Sequence, residues 1–279
     1  MSPPLESAPP VINPWKPVSR WRWAIHLSLI TAYLLVIAFV GLDRSKSRQS
    51  QPALSHTTVG LMEVCAVEIV SFGVVFAIAC AVSRASLDDL RLRWRKHILS
   101  VALGAVYSIA LRMAVGIVAA MVALALIATR VTSLEALQNF AEKNRPAVEK
   151  TVDVTALRDN PAYLWLTLTL VSFGVAGLRE ELWRSSFLAG MKGVWPRQFS
   201  STTGQLVAVG ICAIIFGAGH LSMGILAAAM AGLLGLGLGL IMVLHRSIWP
   251  AVIAHGFFDA TSMALIPWAL ELMRHLPKH

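Results

Sequence analysis

Residues 21–42 read WRWAIHLSLITAYLLVIAFVGL, an apolar run with Arg22 as its one Lys, Arg, Asp or Glu. An α-helix needs about 20 predominantly apolar residues to cross the hydrocarbon core of a bilayer. Inside that layer the backbone must satisfy its own hydrogen bonds. Comparable runs cover about 58–83, 98–128, a stretch that starts at Pro161, then 205–221, 222–244 and 249–270. Only 14% of the chain is charged and 56% is hydrophobic, with a mean hydropathy of +0.67. A soluble domain carries roughly 25% charged residues. The pattern predicts an all-α, polytopic membrane helical bundle with about seven transmembrane helices, eight if one segment re-enters.

The formal charge is +9 and the pI about 10.0. In a soluble chain this balance would point to nucleic acid. Here the Lys and Arg lie mainly between apolar runs, where they act as topology signals and as partners for lipid headgroups. The expected partner is therefore membrane lipid, with no nucleic acid. The loop 84–97, RASLDDLRLRWRKH, carries five basic residues and is expected on the cytoplasmic side, with the N-terminus cytoplasmic as well; the expected location is a plasma membrane, that of a bacterium. Residues 1–19 contain Pro3, Pro4, Pro9, Pro10, Pro14 and Pro17 and read as a disordered head. The run at 21–42 is too long for a signal-peptide core and reads as a retained anchor. Residues 20–279 form a single membrane domain. Cys65, Cys80 and Cys212 all fall in apolar segments without CxxC spacing and read as small buried hydrophobes.

Several ionisable residues interrupt this apolar background. GLREELWRSSF, 177–187, follows an apolar run that starts at Pro161. No proline occurs inside 161–192, so one helix of ~32 residues, ~48 Å long at 1.5 Å per residue, is expected there. Glu180 and Arg184 are then i,i+4 on one face, with Glu181 turned about 100° away. FGAGH, 216–220, puts Phe216 and His220 on one face. HGFFD, 255–259, does the same for His255 and Asp259. Taken singly, each motif also fits a solvated helix end or a satisfied structural pair. Together they supply carboxylates and imidazoles from three helices, the inventory for activating water or for binding a divalent metal such as zinc.

These three motifs, in this order, resemble those of the CPBP family. Its members are the CAAX-protease and bacteriocin-processing membrane proteins, also known as the type II CAAX prenyl endopeptidase or ABI family. The family pattern is EExxxR, FxxxH and HxxxN or HxxxD on separate helices. Glu180-Glu181, Phe216 with His220, and His255 with Asp259 match it, and the resemblance covers about 160–270, the expected catalytic core. The family arginine falls at 185, which here is Ser185; Arg184 arrives one residue early and still has Glu180 as an i,i+4 neighbour.

The resemblance implies an intramembrane endopeptidase, named a metalloprotease, acting on membrane-associated, CAAX-like protein or peptide substrates. On this reading Glu180, His220, His255 and Asp259 are catalytic. Glu180 deprotonates water with help from His220, and His255 with Asp259 stabilises the oxyanion or holds a metal. Glu181, Arg184 and Phe216 support them. Candidate metal ligands are Glu180, His220 and His255, although the chain contains no HExxH. Two other functions stay open: a non-catalytic scaffold or immunity protein on the same fold, and a proton-coupled transporter. Elsewhere, Gly235 and Gly239 form a GxxxG for close helix packing. Glu63, Glu68 and Arg112 are expected to pair with one another or line the chamber, and His26 to have a local partner.

Overall fold

A computed structural model describes residues 18–46, 54–94, 97–146 and 152–275. Except for residues 18 and 19, the proline-rich head lies outside the described residues. The rest is helical, with no strand among the described residues. The long helices are α1 (Arg20–Lys46), α2 (Thr58–Ser83), α3 (His97–Ala128), α9 (Thr202–Gly219), α10 (Ile225–His245) and α11 (Trp249–His275). Two short helices, α4 (Leu134–Lys143) and α5 (Val154–Asp159), occupy the polar connection after α3, and a single turn, α8 (Pro196–Phe199), precedes α9. Local chemistry sets the boundaries. The side chains of Thr57, Ser133, Asp153, Asn160 and Ser201 each accept a backbone N–H of the turn that follows, which satisfies donors left free at a helix start.

The helix expected from Pro161 is present and runs to Val194, but its winding changes along its length. It opens as α6 (Pro161–Leu166), with Pro161 in the first turn, where a missing N–H is harmless. It then widens into a π-helical stretch over Thr167–Arg179 and returns to α-helical winding as α7 (Glu180–Val194). The Ser172 hydroxyl donates to the carbonyl five residues back, Thr167 O, at 2.9 Å. The π-helix is rare, and it is enriched at functional sites. Here it ends on Arg179, immediately before the two glutamates.

This rod is the centre of the bundle. α1 packs against α2 and α7, α11 lies against both α3 and the π stretch, and α9 pairs with α10. The GxxxG on α10 faces α9, where a Cβ on Gly239 would meet Val209 at 2.6 Å. Among the described residues, six helices are long and apolar enough to cross a membrane: those at 20–40, 58–83, 99–128, 161–194, 202–219 and 225–245. α11 was expected as a seventh. It is 27 residues long, but His255, Asp259, Pro250 and Pro267 dilute its apolar character, and it does not join the six. Large apolar side chains such as Phe39, Val67, Ile109, Met121 and Leu124 point outward on α1, α2 and α3. That is the arrangement expected of an integral membrane protein, whose outer solvent is lipid.

Buried polar links fix the helices relative to one another. His26 is fully buried. Its Nδ1 meets Ala79 O and Ser83 Oγ at 3.0 Å each, and its Nε2 meets Ser186 O at 3.2 Å. The expected local partner is thus replaced by partners on α2 and α7, because the side chain points inward from α1. At the other edge of the rod, the 84–94 connection is tied down by Ile248 N to Arg91 O (3.0 Å) and Trp249 Nε1 to Leu92 O (2.9 Å). The Ser185 hydroxyl donates to Leu90 O in the same connection.

Two glycines allow the rod and α11 to touch backbone to backbone. A Cβ on Gly177 would lie 2.9 Å from Val252 O, and one on Gly256 would lie 2.2 Å from the Phe173 ring. Gly256→Ala is therefore expected to destabilise the protein by about 1–3 kcal/mol through overpacking. Gly73→Ala, where a Cβ meets nothing within 4 Å, is expected to be near neutral. Thermal unfolding of both variants in detergent checks the contrast.

Candidate active site

The site is assembled from the rod, α9 and α11. α7 starts at Glu180, so Glu180, Glu181 and Arg184 occupy its first two turns. Glu181 and Arg184 are both fully buried. Arg184 Nη1 donates to Glu181 Oε1 across one helical turn, and the same oxygen accepts from His255 Nδ1 at 3.0 Å. A carboxylate only accepts, so Nδ1 of His255 carries the proton in this contact. The Arg184 guanidinium lies 4.8 Å from the centroid of the Phe216 ring, a cation–π contact in a dry setting. The structure thus gives Arg184 a different partner from the expected Glu180. Glu181 rather than Glu180 turns inward toward α9 and α11, and Arg184 follows it.

Glu180 takes its neighbour in sequence instead. Arg179 Nη2 donates to Glu180 Oε1 at 3.0 Å, and Arg179 Nη1 lies 3.5 Å from Glu68 Oε2 on α2. The other Glu180 oxygen, Oε2, is 3.8 Å from His255 Nε2. That same nitrogen is 3.8 Å from Asp259 Oδ2. Both separations exceed a hydrogen bond yet remain within strong Coulombic reach. His255 is therefore held on one edge by Glu181 and faces two carboxylates on the other.

Phe216 is the hub that brings the second histidine in. Its ring centroid is 4.7 Å from that of His220 and 6.4 Å from that of His255. His220 stands just past the last turn of α9, and its Nδ1 meets Phe216 O at 2.9 Å, so the imidazole folds back along the helix. Asp259 lies within Coulombic range of His220 as well as of His255 and Glu180. His220 at the end of one span and His255 early in another look mismatched in depth. The fold-back of His220 and the close seating of α11 on the rod bring them to one place.

A cavity of about 170 Å³ opens beside these groups. Its polar wall is Arg179, Glu180 and His220, and its apolar wall includes Tyr33, Ile37, Phe72 and Trp183. Glu180 and His220 line this space, whereas Glu181, His255 and Asp259 do not. Sequence reasoning missed Arg179 as the partner of Glu180, although its position next to the glutamate pair was a usable signal. Glu68 and Arg112, expected to pair with one another or to line the chamber, have other partners. Glu68 goes to Arg179, while Arg112 Nη2 donates to Phe258 O and Thr261 Oγ1 of α11 at 2.7 Å each. Glu63 is exposed. Among the described residues no group of three or more His, Cys, Asp or Glu is arranged to hold a metal ion. The chemistry below is built from side chains alone.

Residues 161–261 match a family model described as type II CAAX prenyl endopeptidase Rce1-like. No curated protein and no solved structure matches the chain.

The buried ion pair makes a sharp stability expectation. Arg184→Leu leaves Glu181 as an uncompensated buried charge, and about 3–5 kcal/mol of stability is expected to be lost. Replacing both partners, Glu181→Leu with Arg184→Leu, is expected to recover much of that loss, because neither charge then remains. Unfolding of the single and double variants in detergent measures the difference.

Proposed function

We propose, from the match of residues 161–261 to the Rce1-like type II CAAX prenyl endopeptidase model, that this integral membrane protein hydrolyses peptide bonds of membrane-associated substrates with Glu180 as the base. The observation that carries the reading is the shared cavity: Glu180 and His220 come from separate helices and face the same space, with His255 backing Glu180 at 3.8 Å.

In the proposed reaction a water in the cavity gives a proton to Glu180 as its oxygen adds to the scissile carbonyl carbon. His220, on the same wall, assists the proton transfer: its Nδ1 donates to Phe216 O, which leaves Nε2 as an acceptor that orients the attacking water. The C–N bond then breaks, the carbonyl is restored as an acid, and the proton on Glu180 passes to the departing nitrogen. His255 and Asp259 lie behind Glu180 and hold the charge balance around its carboxylate as it gains and loses the proton. Glu181 and Arg184 act at one remove, by fixing the ring of His255. Three points support this division of roles: the Nδ1 contact to Glu181, the equal distances from Nε2 to the two other carboxylates, and the absence of His255 from the cavity wall.

The apolar wall of Tyr33, Ile37, Phe72 and Trp183 suits a substrate delivered from the lipid phase, including one of CAAX type. Peptide N-termini in membranes containing the wild-type chain should be compared with those in membranes containing Glu180→Gln. New termini are expected to be lost in Glu180→Gln and reduced by about 100-fold or more in His220→Ala, in line with general acid–base contributions. Identical sets of termini in wild type and Glu180→Gln would replace this reading with a non-catalytic membrane scaffold.

A further inference from the structure

We propose that Arg179, anchored by Glu68, is a positioning residue that fixes the Glu180 carboxylate at the cavity wall, so that helices outside the family-matched segment complete the site. The inference deepens the proteolytic reading and rests on it for the role of Glu180. Its physical content, a fixed carboxylate, is testable without catalysis.

The geometry is a three-way fork. Arg179 Nη2 holds Glu180 Oε1 at 3.0 Å, Nη1 pairs with Glu68 Oε2 at 3.5 Å, and Nε donates to Val175 O at 3.3 Å. All three guanidinium nitrogens are engaged, each in a different direction, a pattern that a planar fork holds and a flexible ammonium does not. The carbonyl of Glu68 is itself fixed, accepting Tyr33 Oη of α1 at 3.4 Å and Ser71 Oγ at 3.2 Å. The chain of contacts therefore runs from α1 through α2 to the first residue of α7. Neither α1 nor α2 belongs to the matched segment 161–261.

Charge gives the second reason. Glu180, Glu181 and Asp259 are three carboxylates gathered around His255, with Arg184 spent on Glu181. Arg179 is the cation in direct contact with Glu180. Its side chain is 13% exposed and that of Glu180 is 19% exposed, so solvent screens the pair only in part. Removing Arg179 would free Glu180 Oε1 and leave its carboxylate repelled by its neighbours. A purely structural tie between α2 and the rod predicts something else: a change in unfolding temperature with no change in how Glu180 reacts.

The test is reaction of the protein in lipid nanodiscs with dicyclohexylcarbodiimide, which attacks carboxyl groups in apolar surroundings and is resisted by an ion-paired carboxylate. Modification of Glu180 is read by peptide mass spectrometry. Arg179→Gln is expected to raise labelling of Glu180 about fivefold, the factor that corresponds to losing one partly exposed ion pair. Arg179→Lys, which keeps the charge but loses the fork, and Glu68→Gln should both fall between wild type and Arg179→Gln. Glu68→Gln leaves Arg179 in place and keeps the test open should Arg179→Gln fold poorly. Equal labelling of Glu180 in wild type, Arg179→Gln and Glu68→Gln overturns the inference, as does Arg179→Lys behaving like Arg179→Gln. On a Glu180-dependent substrate, Arg179→Gln should lower kcat by about tenfold or more with KM unchanged. If the labelling order holds while wild type cleaves nothing, the positioning stands and the proteolytic reading falls.

Discussion

One carboxylate oxygen, Glu181 Oε1, ties the rod to α11. It receives Arg184 from its own helix and His255 Nδ1 from α11, and both of its partners are buried. Neither charge tolerates this setting alone, because an isolated ion in a low-dielectric interior is heavily penalised. The pair and the imidazole therefore stand or fall as a unit. Their joint position sets where the Nε2 edge of His255 points, and hence which carboxylates it faces. Glu180 and Asp259 acquire a shared neighbour only because Glu181 has already oriented the ring.

The packing around this unit explains how so many ionisable groups persist among apolar helices. Charged residues in a membrane segment survive when they face a partner or a cavity, and those gathered around the site do. Arg184 stacks on Phe216, Arg112 caps carbonyl and hydroxyl oxygens on α11, and Arg179 bridges two glutamates. Gly177 and Gly256 let the rod and α11 approach until these side chains meet. The π-helical stretch delivers Arg179 and Glu180 side by side at the cavity, immediately before Glu181 turns away from it.

Much of this was legible in the residues. Apolar run lengths placed the helices, and the i,i+4 spacing of Phe216 with His220 and of His255 with Asp259 put those pairs on common faces. The proline-free run from Pro161 announced one continuous rod. What stayed illegible were contacts that depend on winding and tilt. Helical spacing puts both Glu180 (i,i+4) and Glu181 (i,i+3) within reach of Arg184 and does not choose between them; in the folded chain Arg184 goes to Glu181, and Arg179 is left for Glu180. His26 gave no sign of its three partners on α2 and α7, because single-helix periodicity carries no information about which neighbour a face will meet. The polar residues of α11, which weaken it as a span, are the same ones that equip it as a wall of the site.

The central claim is that Glu181 holds His255 directly. The sharpest measurement is solid-state NMR in lipid bilayers between a 13C-labelled Glu181 carboxyl carbon and a 15N-labelled His255 Nδ1. A hydrogen bond of 3.0 Å between Nδ1 and Oε1 puts those nuclei about 4 Å apart, so strong dipolar dephasing is the predicted result. An absence of dephasing in the folded protein would contradict the account, since Glu181 would then not be holding the ring that faces Glu180 and Asp259.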